Sequence, residues 1–457
     1  MSTPFVIAPS FPRRTAASDG QSVHVVESAH ALAARRGPLR AIALRLGDEP
    51  ARETEGAIEI VRVDPGVPIA TPFALYEASH FERVMARLAA EATALVPARA
   101  PVLVHGYELG PTAVALSSRG HRVVAVLHYL LAQELAHYVA GADDPFRRSV
   151  MPPALGRLAA AWPARARGLL VRTASLGARP LSHGALGAIV GAATETAGAG
   201  IVRHQLGKLA MERALFASAA VAVGVSEGFA EAMHRAYPRV RIVSCHAGRP
   251  EDVVEAPWSP AERLRLLAVG RPTPQKGWDV LAHALARLEA SAPAIAERLS
   301  LTLVGGTSAW AGPHSAFGVE TRRALTSLSR VVVHDAGRLD RATLLSRYGE
   351  ADVLVHPSDY EPFGLVLLEA MSAGCPVLAL DTDGPRDVIT NGESGWLVRA
   401  GTWDGRAERL ADAIAALARL DASAWRAHRA AARARALSFS WDRTAASLDR
   451  WLSEAPR

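Results

Sequence analysis

Short apolar runs alternate with amphipathic helical patterns along most of this 457-residue chain, and they do so in two successive sets. That rhythm restricts the chain to α/β architecture with parallel sheets. The first set of buried-strand candidates is Phe5–Ala8, Ala41–Leu46, Ile58–Val63, Val102–Val104, Val123–Leu127, Val221–Val225 and Arg241–Ser244. Ser22–Arg36, Phe81–Leu95 and Lys208–Ala219 fall between them with apolar residues at three- and four-residue spacing, as helices require. Ala256-Pro-Trp-Ser-Pro260 then reads as a linker, its two prolines breaking either pattern. The alternation restarts with Leu264–Val269, Leu299–Val304, Val331–His334, Val353–His356 and Val377–Leu380 as strands. Trp278–Leu288, Arg341–Tyr348, Gly364–Ala373 and Arg406–Arg419 are the accompanying helices. Two α/β sets of similar size predict two Rossmann-like domains facing a central cleft.

One segment breaks the rhythm. Residues 139–200 are far longer than an ordinary connection and hold Arg147, Arg148, Arg157, Arg165, Arg167, Arg172 and Arg179. They read as a helical insertion with a solvated basic face, or alternatively as an acceptor lid or a surface for anionic lipid. The whole chain carries 51 Lys and Arg against 45 Asp and Glu, a surplus of 51 − 45 = +6. With aromatics at only 6% and Arg scattered, that surplus argues against nucleic acid and for an anionic small substrate or a lipid surface. Cys245 and Cys375 match neither a disulfide framework nor a zinc spacing. Met1–Ser10 lacks the basic region of a signal peptide, and Pro180–Thr194 is too short to cross a bilayer. The expectation is a cytoplasmic protein with at most peripheral membrane contact.

Four stretches carry chemistry. Ser358-Asp-Tyr-Glu-Pro-Phe-Gly-Leu-Val-Leu-Leu-Glu-Ala-Met-Ser-Ala-Gly-Cys-Pro-Val377 follows a strand and opens a helix near Gly364. A glycine turn at a helix N-terminus leaves backbone N–H groups free at the positive end of the dipole, which suits phosphate. Glu361 and Glu369 bracket that turn, although Glu-x7-Glu alone is common by chance. Ala268-Val-Gly-Arg-Pro-Thr-Pro-Gln-Lys-Gly-Trp278 places Arg271 and Lys276 on a loop leaving a strand. Two fixed cations there would neutralise a diphosphate and stabilise it as a leaving group. Lysine occurs only twice in the chain, at Lys208 and Lys276, which sharpens that reading. His128, after Val123–Leu127, and more weakly His105, after Val102–Val104, lie where parallel strands point polar residues toward ligands. Pro9–Gln21, after the first strand, has no Gly-x-Gly-x-x-Gly, which speaks against a nicotinamide dinucleotide enzyme.

The 358–377 run resembles the signature of the retaining family 4 glycosyltransferases, which have the GT-B fold. The resemblance covers nearly all of Leu264–Val398 and is looser over the N-terminal half. It implies that Glu361 lies beside the transferred sugar and that Glu369 hydrogen-bonds the nucleotide ribose. Backbone amides of Phe363, Gly364 and Leu365 would hold sugar hydroxyls and phosphate. The Gly-Arg and Lys-Gly pairs at Arg271 and Lys276 look like the family's diphosphate clamp, and His128 matches a histidine near donor sugar and acceptor. His105 is a weaker acceptor candidate. Relatives carry a Gly-rich turn after the first strand, of which only Gly20 remains here. Ser244-Cys-His-Ala-Gly-Arg249 stands where relatives read Pro-Asn-Gly.

The expected map is therefore an acceptor domain over residues 1–250, a nucleotide-sugar domain over 256–438, and a final helix within 439–457 packing back on the first. The expected reaction is glycosyl transfer with retention from a nucleoside-diphosphate sugar to a small-molecule acceptor. It needs no metal or cofactor, with UDP the commonest carrier and GDP or ADP open. A lipid acceptor at a membrane, a sugar phosphorylase on the same fold and a non-catalytic scaffold are the alternatives. Lys276 is expected to be exposed, so that its removal leaves stability unchanged.

Overall fold

The computed structural model describes residues 3–16, 19–70, 74–77, 79–131, 199–253, 258–305, 313–399 and 403–454. The arginines of the basic segment lie outside the described residues. The chain divides into two compact units, the first holding described residues up to 131, 199–248 and 440–454, the second 249–439.

The first unit is built on eight strands: β1 (Phe5–Ile7), β2 (Leu39–Leu44), β3 (Arg52–Glu55), β4 (Ile58–Val63), β5 (Val102–His105), β6 (Val123–Leu127), β7 (Val221–Gly224) and β8 (Ile242–Ser244). Their spatial order is β3-β4-β2-β1-β5-β6-β7-β8, and every pairing is parallel except β3 with β4. β1, β5, β6 and β7 are buried along their whole length. Parallel strands covered on both faces need such unbroken apolar runs. β3 is Arg-Glu-Thr-Glu, a charged strand without apolar periodicity, and it sits at the sheet edge with its side chains reaching solvent. Charge on an edge strand blocks pairing with other chains.

Helix α1 (Gly20–Arg36) follows β1. Asp19 caps it, accepting from the Gln21 and Ser22 amides at 3.1 and 3.0 Å, while the Asp19 amide donates to the Ser22 hydroxyl oxygen at 3.3 Å. This is a reciprocal capping box.

The second unit holds β9 (Leu264–Val269), β10 (Leu299–Val304), β11 (Val332–Gly337), β12 (Val353–His356), β13 (Val377–Leu380) and β14 (Gly395–Val398), all parallel, in the order β11-β10-β9-β12-β13-β14. Of its helices, α2 (Trp278–Ser291) follows β9, α3 (Arg341–Glu350) precedes β12, α4 (Leu365–Ser372) follows β12, and α5 (Ala422–Leu437) comes last. Trp278, Leu281, Leu285, Leu299, Leu301, Val353 and Leu378 meet in one buried core. Each large apolar side chain buried there contributes roughly 1.5–3 kcal/mol. A helix α6 (Trp441–Ser453) belongs to the first unit, where Asp449 pairs with Arg35 and Arg36 of α1 at 3.0 and 2.6 Å. No helix among the described residues is long and apolar enough to cross a membrane.

Strand order fixes where chemistry belongs. In an open parallel sheet, connections leave in opposite directions from two neighbouring strands, and a crevice opens at their carboxyl ends. In the second unit those neighbours are β9 and β12, whose partners on the other side are β10 and β13. The loops that follow them are Gly270–Gly277 and Pro357–Gly364, which contain the two motifs singled out above. In the first unit the corresponding pair is β1 and β5, with His105 the last residue of β5.

Candidate active site

In the second unit, the two loops are zipped together by the residues between the motif positions. The Gln275 side chain donates to the Tyr360 carbonyl at 3.0 Å, and the Gln275 carbonyl accepts from the Ser358 hydroxyl at 2.8 Å and the Asp359 amide at 3.2 Å. Arg406 holds the Asp359 carboxylate at 3.0 Å. Gly277 allows this approach: it has φ +69°, and a Cβ there would lie 1.9 Å from the Pro357 carbonyl oxygen. Gly277→Ala therefore forces the loops apart and strains the backbone. We expect a loss of about 2 kcal/mol or more, seen as a lowered melting temperature; an unchanged one would contradict this packing.

Zipping the loops brings Lys276 and Glu361 together. The Lys276 Nζ lies 2.6 Å from Glu361 Oε2, and His356 Nε2, at the end of β12, lies 2.8 Å from the same oxygen. Side-chain exposure is 19% for Lys276 and 10% for Glu361. Lys276 is thus a partly buried member of an ion pair, which corrects the expectation of an exposed side chain. Burial by itself would raise the Glu361 pKa. The Lys276 charge, followed by the His356 hydrogen bond, outweighs it and brings the carboxyl down to about 2. Burial also keeps His356 below the ordinary imidazole range, so near neutrality it is a neutral ring donating a hydrogen bond to a carboxylate.

A carboxyl lowered by folding stabilises the protein above its unfolded pKa and loses that contribution as pH falls through the folded value. For Glu361 the contribution is on the order of 3 kcal/mol and is lost between about pH 5 and about pH 2. The melting-temperature gap between wild type and Glu361→Gln should narrow as pH is lowered from about 6 to about 3; a gap constant over that range would mean the ion pair carries no such energy.

The turn after Glu361 is fixed from behind. The Gly384 amide donates to the Glu361 carbonyl at 2.8 Å, and Gly384 lets Phe363 press on it, since a Cβ there would lie 2.3 Å from the Phe363 carbonyl oxygen. Phe363 is buried, and its ring meets Phe439 edge-on at 6.2 Å. Gly364 takes a left-handed conformation with φ +93° and starts α4 with no side-chain cap. Leu365 is the first residue of α4 and is half-buried. The helix N-terminus thus offers backbone donors and its positive dipole end beside the Lys276–Glu361 pair. On α4, Glu369 accepts from the buried Tyr348 hydroxyl at 2.9 Å and from Arg341 at 3.1 Å, and Arg341 also grips Asp252 with two contacts at 2.7 and 2.8 Å. Arg271 lies half-buried on the loop after β9, its carbonyl accepting from the Thr273 amide at 2.8 Å.

In the first unit, His105 and His128 come together at neighbouring strand ends, with His105 Nδ1 and His128 Nε2 3.3 Å apart. His24, on α1, completes a trio, its ring 4.8 Å from that of His128 and 5.7 Å from that of His105. Burial, and next the proximity of another ring, holds all three well below the ordinary imidazole range. Three residues past His105, the buried Glu108 accepts from Tyr76 and Tyr129 hydroxyls at 2.5 and 2.9 Å. Burial pushes its pKa up. Gly20 is the exposed first residue of α1, next to the Asp19 cap. The amides of Gln21 and Ser22, which a Gly-rich turn would leave for a ligand, donate here to the Asp19 carboxylate.

Sequence reading missed His24, His356, Gln275, Arg341 and Tyr348. Only His356 carried a usable signal: like His128, it is a polar residue at the carboxyl end of a buried strand.

The family model described as glycosyl transferases group 1 matches residues 254–432. A D-inositol 3-phosphate glycosyltransferase from Geodermatophilus obscurus is 38% identical over 190 residues, which is 40% of this chain and 38% of that protein. The protein of the same name from Nocardiopsis dassonvillei is 35% identical over 213 residues, 45% of this chain and 47% of that one. The chain thus matches these curated relatives over less than half of their length. Among solved structures, sucrose-phosphate synthase from Thermosynechococcus elongatus superposes with a TM-score of 0.68 at 20% identity, covering 98% of both chains. Anabaena HepE, solved in complex with UDP and glucose, superposes with a TM-score of 0.60 at 16% identity, covering both chains completely. These likenesses establish the architecture across the chain, and the family match falls on the unit that carries Lys276, Glu361 and Glu369. Residues 254–432 are thus similar to the glycosyl transferases group 1 family, and the fold of the chain is that of the GT-B glycosyltransferases.

Proposed function

We propose that this chain is a retaining glycosyltransferase that moves a sugar from a nucleoside-diphosphate sugar to a hydroxyl of a small-molecule acceptor. One observation carries the proposal: at the β9/β12 switch point a lysine, a glutamate held ionised and an uncapped helix N-terminus converge. That set suits a departing diphosphate. Arg271, Lys276 and the first amides of α4 would bind the two phosphates and stabilise the charge that grows as the bond from the anomeric carbon breaks. Glu361 would steady positive charge on the sugar, and Glu369 would hold the ribose, exchanging its bond with Arg341 for one to the nucleotide. The new bond forms between the acceptor oxygen and the anomeric carbon on the face that the leaving group vacates. The acceptor proton goes to the departing phosphate oxygen, so the reaction balances without a further base. The cations and the helix dipole supply the charge that a metal ion would otherwise bring, and no cofactor is required.

The resemblance assigns His128 to the donor sugar and acceptor, and His105, at the neighbouring strand end, is the weaker acceptor candidate. UDP is the first carrier to try, a choice supported by HepE with UDP and glucose. A phosphorylated polyol or sugar is the first acceptor class, supported by relatives named for inositol phosphate. A cytoplasmic setting is supported by two buried, unpaired cysteines, Cys245 and Cys375. The test is incubation with UDP-, GDP- and ADP-sugars and a panel of phosphorylated acceptors. Nucleoside diphosphate release is followed beside the anomeric configuration of the product by NMR. Acceptor-dependent release with a retained configuration is expected. An inverted product overturns the mechanism, and reaction only with sugar 1-phosphate makes the protein a phosphorylase.

A further inference from the structure

Glu361 is held by one of its two oxygens. Lys276 Nζ and His356 Nε2 both meet Oε2, at 2.6 and 2.8 Å, while Oε1 makes no hydrogen bond among the described residues. A carboxylate can only accept, so the hydrogen of the second contact sits on Nε2 of the ring. The two donors differ in how firmly they are placed. His356 is the last residue of β12, is 2% exposed and lies in register with Ala379 of β13. Lys276 sits on the loop after β9 and reaches Glu361 with a flexible alkyl stem.

That difference matters because Lys276 has a second task. As a clamp for a diphosphate it is drawn toward phosphate oxygens, and its hold on Glu361 weakens when the donor binds. A neutral imidazole carries no charge for the phosphates to attract. The His356 ring is kept neutral first by burial, with Lys276 adding to that effect and Glu361 opposing it. It therefore stays on Oε2 when the ammonium turns away. A phenylalanine would fill the strand end but leave Glu361 with Lys276 alone.

We propose that His356 is a positioning residue for the transfer: it tethers Oε2 of Glu361 from the end of β12, so that Oε1 stays presented to the sugar while Lys276 turns to the diphosphate. This role rests on the second unit being the site of glycosyl transfer.

The experiment compares the full wild-type chain with His356→Phe, which keeps a ring, and His356→Gln, whose side-chain amide can donate from nearly the place of Nε2. Nucleoside diphosphate release from UDP-, GDP- and ADP-glucose is followed with and without the phosphorylated acceptors, and the affinities of UDP, GDP and ADP are taken by calorimetry. In His356→Phe, kcat should fall roughly tenfold or more, with donor KM and nucleotide affinity near wild type. The acid limb of its kcat profile should move to higher pH, since Glu361 keeps only Lys276 of the two side chains that bring its carboxyl down. His356→Gln should recover most of the lost kcat. Wild-type kcat in His356→Phe overturns the proposal, as does an equal loss in both variants or a loss of nucleotide affinity in step with kcat. Should His356→Phe fail to fold, ¹⁵N-histidine spectra of the wild type with saturating nucleotide decide the matter. The signal missing from His356→Gln must keep its hydrogen on Nε2, and a ring protonated on Nδ1 alone overturns the proposal. A wild type that binds no nucleotide and releases none fails the transferase reading itself and takes this role with it, a result visible before any variant is made.

Discussion

Lys276→Ala should lower turnover by roughly 100-fold or more, the order seen when one preorganised charge facing a transition state is removed. It should also lower stability, because Lys276 is the main charge holding the 10%-exposed Glu361 ionised. Removing one partner of a buried pair costs about 3–5 kcal/mol when the other is left uncompensated. The loss here should fall toward the lower end, since His356 still donates to Glu361 at 2.8 Å. The two effects separate by temperature: turnover measured well below the melting transition reports the clamp, and the melting curve reports the ion pair. Wild-type turnover in the Arg271→Ala, Lys276→Ala double variant would remove the clamp from the mechanism.

The two motif glutamates should fail differently. Glu361→Gln keeps shape but removes the charge opposite the developing positive sugar, so kcat should fall by roughly 100-fold or more with KM little changed. Glu369→Gln should raise KM for the donor about tenfold with kcat nearly intact, because a ribose contact is made equally in ground and transition states. The structure sharpens this second expectation. Glu369 is already held by Tyr348 and Arg341, so glutamine also loosens Arg341 from α4. Steady-state kinetics with the donor varied give both numbers. The reverse pattern would exchange the roles of the two carboxylates.

Much of the scaffold is legible in the sequence because parallel strands buried on both faces leave continuous apolar runs. β5, β6, β12 and β13 are of this kind and lie within a residue or so of the runs that announced them. β3 was not legible, since Arg-Glu-Thr-Glu has no apolar period and is a strand only because β4 pairs with it. β14 was missed for a related reason: Gly-Trp-Leu-Val is short and follows a turn-rich stretch. Boundaries slipped where strands end in polar residues, as at β11, which runs on to Gly337.

At the site, position along the chain was easier to read than pairing. Lys276, Glu361 and Glu369 stand in motifs, but nothing in the linear sequence tells that Lys276 is tied to Glu361 or Glu369 to Arg341. The first contact depends on Gln275 zipping two loops 85 residues apart, the second on α3 presenting Arg341 to α4. His24 carried no signal because a lone histidine on a helix reads as a surface or packing residue. Its meaning arises only when β5 and β6 place His105 and His128 beside it.

The central claim is that the second unit binds a nucleoside diphosphate at the β9/β12 switch point, and calorimetric titration of UDP, GDP and ADP into the full chain tests it most directly. One of the three should bind with a stoichiometry of one. Its affinity should fall by roughly tenfold or more in Lys276→Ala and again in Arg271→Ala, as expected for charge-assisted contacts to phosphate. Binding of none of the three to the wild type, or equal affinity in wild type and both variants, would contradict the account.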